Sequence, residues 1–263
     1  MQQFIDIGVN LTGSSFKSDV ADVIQRAHDA GVNQLIVTGT NIEHSQRAVE
    51  LCKQYPHALY ATAGVHPHHA SEVNADTVSE LKALYSEAAV VAVGECGLDF
   101  NRNYSSPSDQ RVAFQMQLQL ASEAGLPLFL HQRDAHDEFV SMLREYLPDI
   151  SGAVAHCFTG TLDEALQYVD MGMYIGVTGW ICDERRGGDL QRAVSEIPLE
   201  KIILETDAPY LLPRDLKQAP AIKRRNEPCY LPHICEVTAK YMQVDSKQLA
   251  ESAIENTRRL FSI

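Results

Sequence analysis

No apolar run in the 263-residue chain approaches the roughly 18 residues a membrane span requires. The opening MQQFIDIGVN also lacks the basic stretch followed by an apolar one that marks an export leader. The sequence therefore reads as that of a cytoplasmic protein with no membrane partner, expected to be a monomer. Its six cysteines (Cys52, Cys96, Cys157, Cys182, Cys229 and Cys235) include no CxxC pair, and a chain of this size needs no covalent staples. All six read as reduced thiols, and Cys96 and Cys157, each following a polar residue at the end of an apolar run, are expected to point into packing. Basic residues are scarce, 22 Lys and Arg against 35 Asp and Glu, for a formal charge of −13. That balance excludes sequence-independent wrapping of duplex nucleic acid, which needs a broad basic footprint, and leaves room only for a local basic rim. No glycine-rich GxGxxG turn follows the first apolar run, which argues against an open doubly wound sheet. No linker, low-complexity tract or repeat divides the chain, so residues 1–263 read as one domain.

Eight short β-branched runs are present: FIDIGV (4–9), QLIVTG (34–39), LYATAGV (59–65), VVAVGE (90–95), PLFLH (127–131), AVAHC (153–157), MYIGVTG (173–179) and KIILETD (201–207). Helix-patterned segments lie between them, such as SDVADVIQRAHDAG closing on Gly31 and SPSDQRVAFQMQLQLASEAG closing on Gly125. Strands alternating with helices imply parallel pairing, and eight such units imply an α/β fold of the TIM-like (β/α)8 barrel type. Two more helices, LPHICEVTAKYM and SKQLAESAIENTRRLF, follow the last run and are expected to cover the outside.

A barrel of this kind carries its active site at the C-terminal ends of the strands. The runs end in polar residues: His66 after the third, Glu95 on the fourth, His131 on the fifth, His156 on the sixth and Asp207 on the eighth. Any one of these alone would be unremarkable, but separate strands delivering metal-binding side chains to one rim point to a cation. Histidine with carboxylate suits Mn²⁺, Zn²⁺ or a carboxylate-assisted Mg²⁺ site. In the first run Ile5, Ile7, Val9 and Leu11 alternate with Asp6, Gly8 and Asn10, so one face is core and the other offers a carboxylate, bare backbone and an amide.

GVHPH (64–68), VGECGLDF (93–100), LFLHQRDAH (128–136), AHCFTG (155–160) and LETDAPYLLP (204–213), in that order over nearly the whole chain, resemble the TatD family of metal-dependent deoxyribonucleases. The resemblance implies a barrel of the amidohydrolase type, one or two divalent metals and phosphodiester hydrolysis. Members closest in pattern act as 3′-to-5′ exonucleases on single-stranded DNA and RNA. Carried over by matching motif, Glu95 would ligate or bridge metals, His131 and His156 would hold one of them, Asp207 would contact metal or water, and His66 would be a ligand or phosphate contact. Most metal-barrel relatives carry HxH on the first strand, where this chain has Gly8 and Asn10, a departure that resembles the TatD branch of the family. One firmly held metal and a second, weaker position completed by substrate phosphate are therefore expected, with Mg²⁺ the expected ion.

Asp207 is the candidate general base, with Glu95 beside it. Arg102, Arg133, Arg185, Arg186, Lys223, Arg224 and Arg225 all follow strand ends and are candidates for phosphate binding on the catalytic side. Trp180, the one tryptophan, follows the seventh run and could stack a terminal base, whereas Phe158 reads as packing. The rival readings are a small-molecule metal-dependent hydrolase, an aminoacyl-tRNA deacylase on the same barrel, and a non-enzymatic protein with a decayed metal site.

Overall fold

The computed structural model describes residues 2–217, 220, 222 and 224–263; Lys223 lies outside them. Strands β1 (Phe4–Val9), β2 (Val32–Val37), β3 (Leu59–Ala63), β4 (Val90–Asp99), β5 (Leu128–Arg133), β6 (Ala153–Ala155), β7 (Tyr174–Val177) and β8 (Ile202–Leu204) pair in parallel in chain order. Between successive strands lie helices α1 (Val20–Asp29), α2 (Ile42–Gln54), α3 (Thr77–Tyr85), α4 (Pro107–Ala124), α5 (His136–Tyr146), α6 (Leu162–Asp170) and α7 (Gly188–Glu196). Helices α8 (Leu231–Met242) and α9 (Ser246–Phe261) follow β8. The eight-stranded parallel barrel expected from the sequence is what forms. Among the described residues, no helix is long and apolar enough to cross a membrane.

Local signals set the helix ends. Ser106 accepts from the Asp109 amide ahead of Pro107, and Gly125 closes the same helix in the left-handed region at φ 67°. Thr161 and Glu164 form a reciprocal capping box on α6, and Asp245 accepts from the amides of Lys247 and Gln248 on α9.

Apolar side chains fall into two layers. Ile7, Ile36, Val91, Phe129, Val154, Tyr174 and Ile203, from seven different strands, meet inside the barrel and are plugged by Leu260 and Phe261 of α9. A larger layer, including Phe4, Val9, Val37, Leu130, Phe139 and Leu190, lies between strands and helices. Strict alternation therefore fails on the first strand. The β1 to β2 pairing slips between Asp6 and Val9, which sends Ile7 inward and Val9 outward.

That strand also explains how the barrel closes. Between β8 and β1 there is a single bridge, Val9 to Ala208, backed by the Asp207 amide donating to the Gly8 carbonyl at 2.9 Å. Asp6, fully buried, completes the seam by accepting from the Thr206 amide at 2.9 Å and its hydroxyl at 2.5 Å. Burial pushes the Asp6 carboxyl up to about 8, against the pull of the Thr206 hydrogen bonds.

Candidate metal centre

The polar strand ends line one cavity of about 510 Å³ at the mouth of the barrel. Glu95, near the end of the long strand β4, stands at its centre. Its Oε1 is 3.1 Å from His131 Nδ1, 3.2 Å from His66 Nε2 and 3.7 Å from His156 Nε2. Asp207 Oδ1 lies 3.9 Å from His156 Nε2 on the other side. Two groups of donors result, His66 with Glu95 and His131, and His156 with Cys157 and Asp207; within each, the donor atoms lie within 4.8 Å of one another. His131 and His156, expected to share one ion, fall in different trios, yet both reach the same oxygen, Glu95 Oε1.

Other buried groups aim these side chains. Glu205, fully buried, accepts from His156 Nδ1 and from the Cys157 amide, each at 2.5 Å, which turns His156 Nε2 toward Glu95 and Asp207. A methyl group at Gly8 or Gly176 would collide with that carboxylate, so the bare backbone on β1 makes room for the Glu205 to His156 pair. Asp99 sits 3.3 Å from His131 Nε2 and 2.8 Å from His68 Nε2, while its other oxygen accepts from the amides of Asn101 and Arg102. Asn10 donates through Nδ2 to Asp207 at 3.1 Å and to the Ala208 carbonyl at 3.3 Å. Cys157 and Asp207 themselves take left-handed backbone, at φ 47° and 54°, so β6 and β8 end before them rather than running to the site.

The electrostatics are those of a carboxylate surplus. Burial opposes charge on His131 and His156, yet neighbouring carboxylates outweigh it and push them up to about 9 and about 10. Burial pushes the Asp207 carboxyl up to about 7, with Glu95 and Glu205 adding repulsion. His66 is driven down to about 4 by burial, which leaves it neutral and able to offer a lone pair. Burial raises the Glu95 carboxyl, but the surrounding imidazoles prevail and hold it well below the ordinary range. The carboxylates of Glu95 and Asp207 with the imidazole nitrogens of His66, His131 and His156 form a donor set that fits a divalent cation, while Asp99 and Glu205 hold two of those histidines.

All nine residues singled out from the sequence as site residues line the cavity: Asn10, His66, Glu95, Arg102, His131, Arg133, His156, Trp180 and Asp207. Several of the other cations do not. Arg225 is 7% exposed and locked between Asp19 and Glu227, both at 2.7 Å, so it braces the fold instead of facing substrate. Arg185 and Arg186 turn to Asp183, with the Arg186 guanidinium 4.3 Å over the Trp180 ring, and Arg224 does not line the cavity. Phe158 packs on Tyr168 as expected, but Cys157 is half-buried and lines the cavity instead of turning into the core. Glu205 and Asp99 escaped the sequence reading although each lies two or four residues from a chosen carboxylate on a strand-like spacing. Tyr104 and Tyr210, 67% and 62% exposed at the cavity rim, carried no sequence signal.

A family model described as TatD related DNase matches residues 5–262. The chain is 53% identical over 258 residues to the 3′-5′ ssDNA/RNA exonuclease TatD of Citrobacter rodentium, a match covering 98% of this chain and 97% of that protein. It is 52% identical over 259 residues to the protein of the same name from Edwardsiella piscicida, covering 98% and 99%. The crystal structure of a TatD homologue from Escherichia coli K12 superposes with a TM-score of 0.90 at 30% identity, over 99% of this chain and 98% of that one. A match from the first strand to the last helix, on a barrel whose strand ends converge as described, means that the chain belongs to the TatD-related DNase family.

Proposed function

We propose that the protein is a metal-dependent nuclease that removes nucleotides from the 3′ ends of single-stranded DNA and RNA, acting as a cytoplasmic monomer. The names of the similar proteins support the substrate and polarity. One observation carries the chemistry: a single carboxylate oxygen, Oε1 of Glu95, within 3.7 Å of three imidazoles from three different strand ends. His66, Glu95 and His131 would hold one divalent ion, and His156 with Asp207 a second, more weakly. Mg²⁺ is the ion proposed, with phosphate oxygens and water completing its shell, and Mn²⁺ or Zn²⁺ are the alternatives that the imidazoles suit. A divalent ion held there would lower the pKa of water and neutralise charge that builds on phosphoryl oxygens.

The chain's own groups do the rest. Asp207, oriented by Asn10, is placed to take a proton from the attacking water. Glu205 positions His156 without touching substrate. Arg102 and Arg133 at the rim would take phosphates, and the Trp180 ring would stack the terminal base, worth about 1–3 kcal/mol.

End-labelled single- and double-stranded oligonucleotides, incubated with Mg²⁺, Mn²⁺ or EDTA, test this reading. Mononucleotides should leave the 3′ end of single strands, EDTA should abolish the ladder, and Glu95→Gln should lower the rate by at least about 100-fold. Intact oligonucleotides alongside amino acid release from charged tRNA would overturn it in favour of a deacylase.

A further inference from the structure

Cys182, Asp215 and His233 come together away from the catalytic cavity, none of them lining it. Cys182 ends the 3₁₀ turn after β7, Asp215 lies in the segment after β8, and His233 is in the first turn of α8. Their sulfur, oxygen and nitrogen donors lie within 4.8 Å of one another, and His233 Nε2 is 2.7 Å from Asp215 Oδ1. We propose that these three side chains form a zinc site that ties the two loops bordering the catalytic mouth to α8.

The donor chemistry selects the ion. One thiolate, one imidazole and one carboxylate suit Zn²⁺, while the sulfur disfavours Mg²⁺, which needs an oxygen shell. Three protein ligands leave a fourth tetrahedral position for water. Access is present too, because the Asp215 and His233 side chains are 47% and 21% exposed while Cys182 is buried. On binding, the Cys182 S–H bond breaks, its proton leaves to solvent and a zinc–sulfur bond forms, with no change of oxidation state. A nucleophilic role for Cys182 is the competing use of such a cluster. Its sulfur is buried, whereas a reactive thiol has to be reachable by its substrate. Of the described arginines nearby, Arg186 and Arg214 both face Asp183.

The site would matter for the mouth of the barrel. Trp180, two residues before Cys182, and Tyr210 and Leu211, shortly before Asp215, all line the catalytic cavity. This inference stands apart from the nuclease reading and fails or survives independently of it.

Cobalt is the probe. The full chain, stripped of metal and given Co²⁺ in excess over the catalytic positions, should develop a thiolate-to-cobalt charge-transfer band in the near ultraviolet. The band should be lost in Cys182→Ser and in His233→Ala and kept in Cys157→Ser, whose thiol belongs to the catalytic cavity; Zn²⁺ should abolish it by displacement. His233→Ala, at a partly exposed position, keeps the experiment decisive if Cys182→Ser fails to fold. Absence of the band in the wild-type chain, or its survival in the folded Cys182→Ser or His233→Ala variant, would overturn the site.

Discussion

At the scale of single residues, the side chains that would carry chemistry are held by others that never reach substrate. Glu205 is the clearest case, because both of its oxygens are committed, one to His156 Nδ1 and one to the Cys157 amide, inside a pocket that Gly8 and Gly176 leave open. Glu205→Gln keeps the volume but offers one acceptor where two are needed. Its nuclease rate and metal affinity should each fall by about 10–100-fold while the melting temperature changes little. Parallel rate assays and metal titrations check this, and unchanged metal affinity would remove Glu205 from its positioning role. Asp6 shows the opposite allocation, a carboxylate spent on the barrel seam. Its carboxyl is pushed up to about 8 in the fold against an ordinary 3.8, so between those values the folded chain holds a proton the unfolded chain has shed. Its contribution to stability is therefore complete below pH 3.8 and is lost as pH rises toward about 8. Asp6→Asn cannot titrate, so the wild-type stability relative to this variant should decline across that window. Urea melts of both proteins from pH 4 to pH 8 measure the difference, and parallel profiles would contradict it.

At the scale of elements, the segment between β8 and α8 is anchored by charge rather than by regular structure. Arg225 lies over the Phe16 ring at 4.9 Å, donates to the Ser15 carbonyl at 2.8 Å and bridges Asp19, just before α1, to Glu227. Arg26 on α1 reaches the same Glu227 at 2.7 Å. Arg225→Ala leaves two carboxylates sharing Arg26 alone and should destabilise the protein by about 3 kcal/mol, read from denaturant midpoints. The rate of the fraction that remains folded should stay near wild type, whereas a residue gripping substrate phosphate would show the reverse. Arg225 also illustrates what a sequence conceals. In the string KRRNEP the cations look alike, and it is Asp19, some 200 residues earlier, that joins Glu227 in holding Arg225. The helices were legible because their stops are local: Ser106 with Pro107 at one end of α4 and Gly125 at the other. Glu95, His131, His156 and Asp207 were legible because each closes an apolar run. Glu205 and Asp99 were not, because their partners are other side chains brought by distant strands, and the shortness of β6 and β8 follows from backbone turns at Cys157 and Asp207 that no residue type announces.

At the scale of the whole molecule, a chain of net charge −13 has to engage a polyanion without a general electrostatic welcome. Under the proposed reading attraction is confined to the cavity mouth, which Arg102 and Arg133 line among groups whose negative charge a divalent ion would offset. Among the described residues, Arg185 and Arg186 are matched to Asp183, and Arg225 to Asp19 and Glu227. Contact should therefore involve about two phosphates, and each phosphate neutralised on a single strand contributes a slope of about −0.7 to log affinity against log salt. The expected slope is about −1.4 for a single-stranded oligonucleotide, measured by anisotropy with Glu95→Gln in place of the active enzyme to prevent digestion. Adding Arg102→Ala or Arg133→Ala should flatten it by about 0.7 each and weaken binding equally across base sequences, since phosphate contacts carry no base information. Adding Arg225→Ala should leave the slope alone. A slope of about −4 or steeper would mean that nucleic acid follows a longer basic track outside the cavity, and that grip is not limited to the two arginines at its rim.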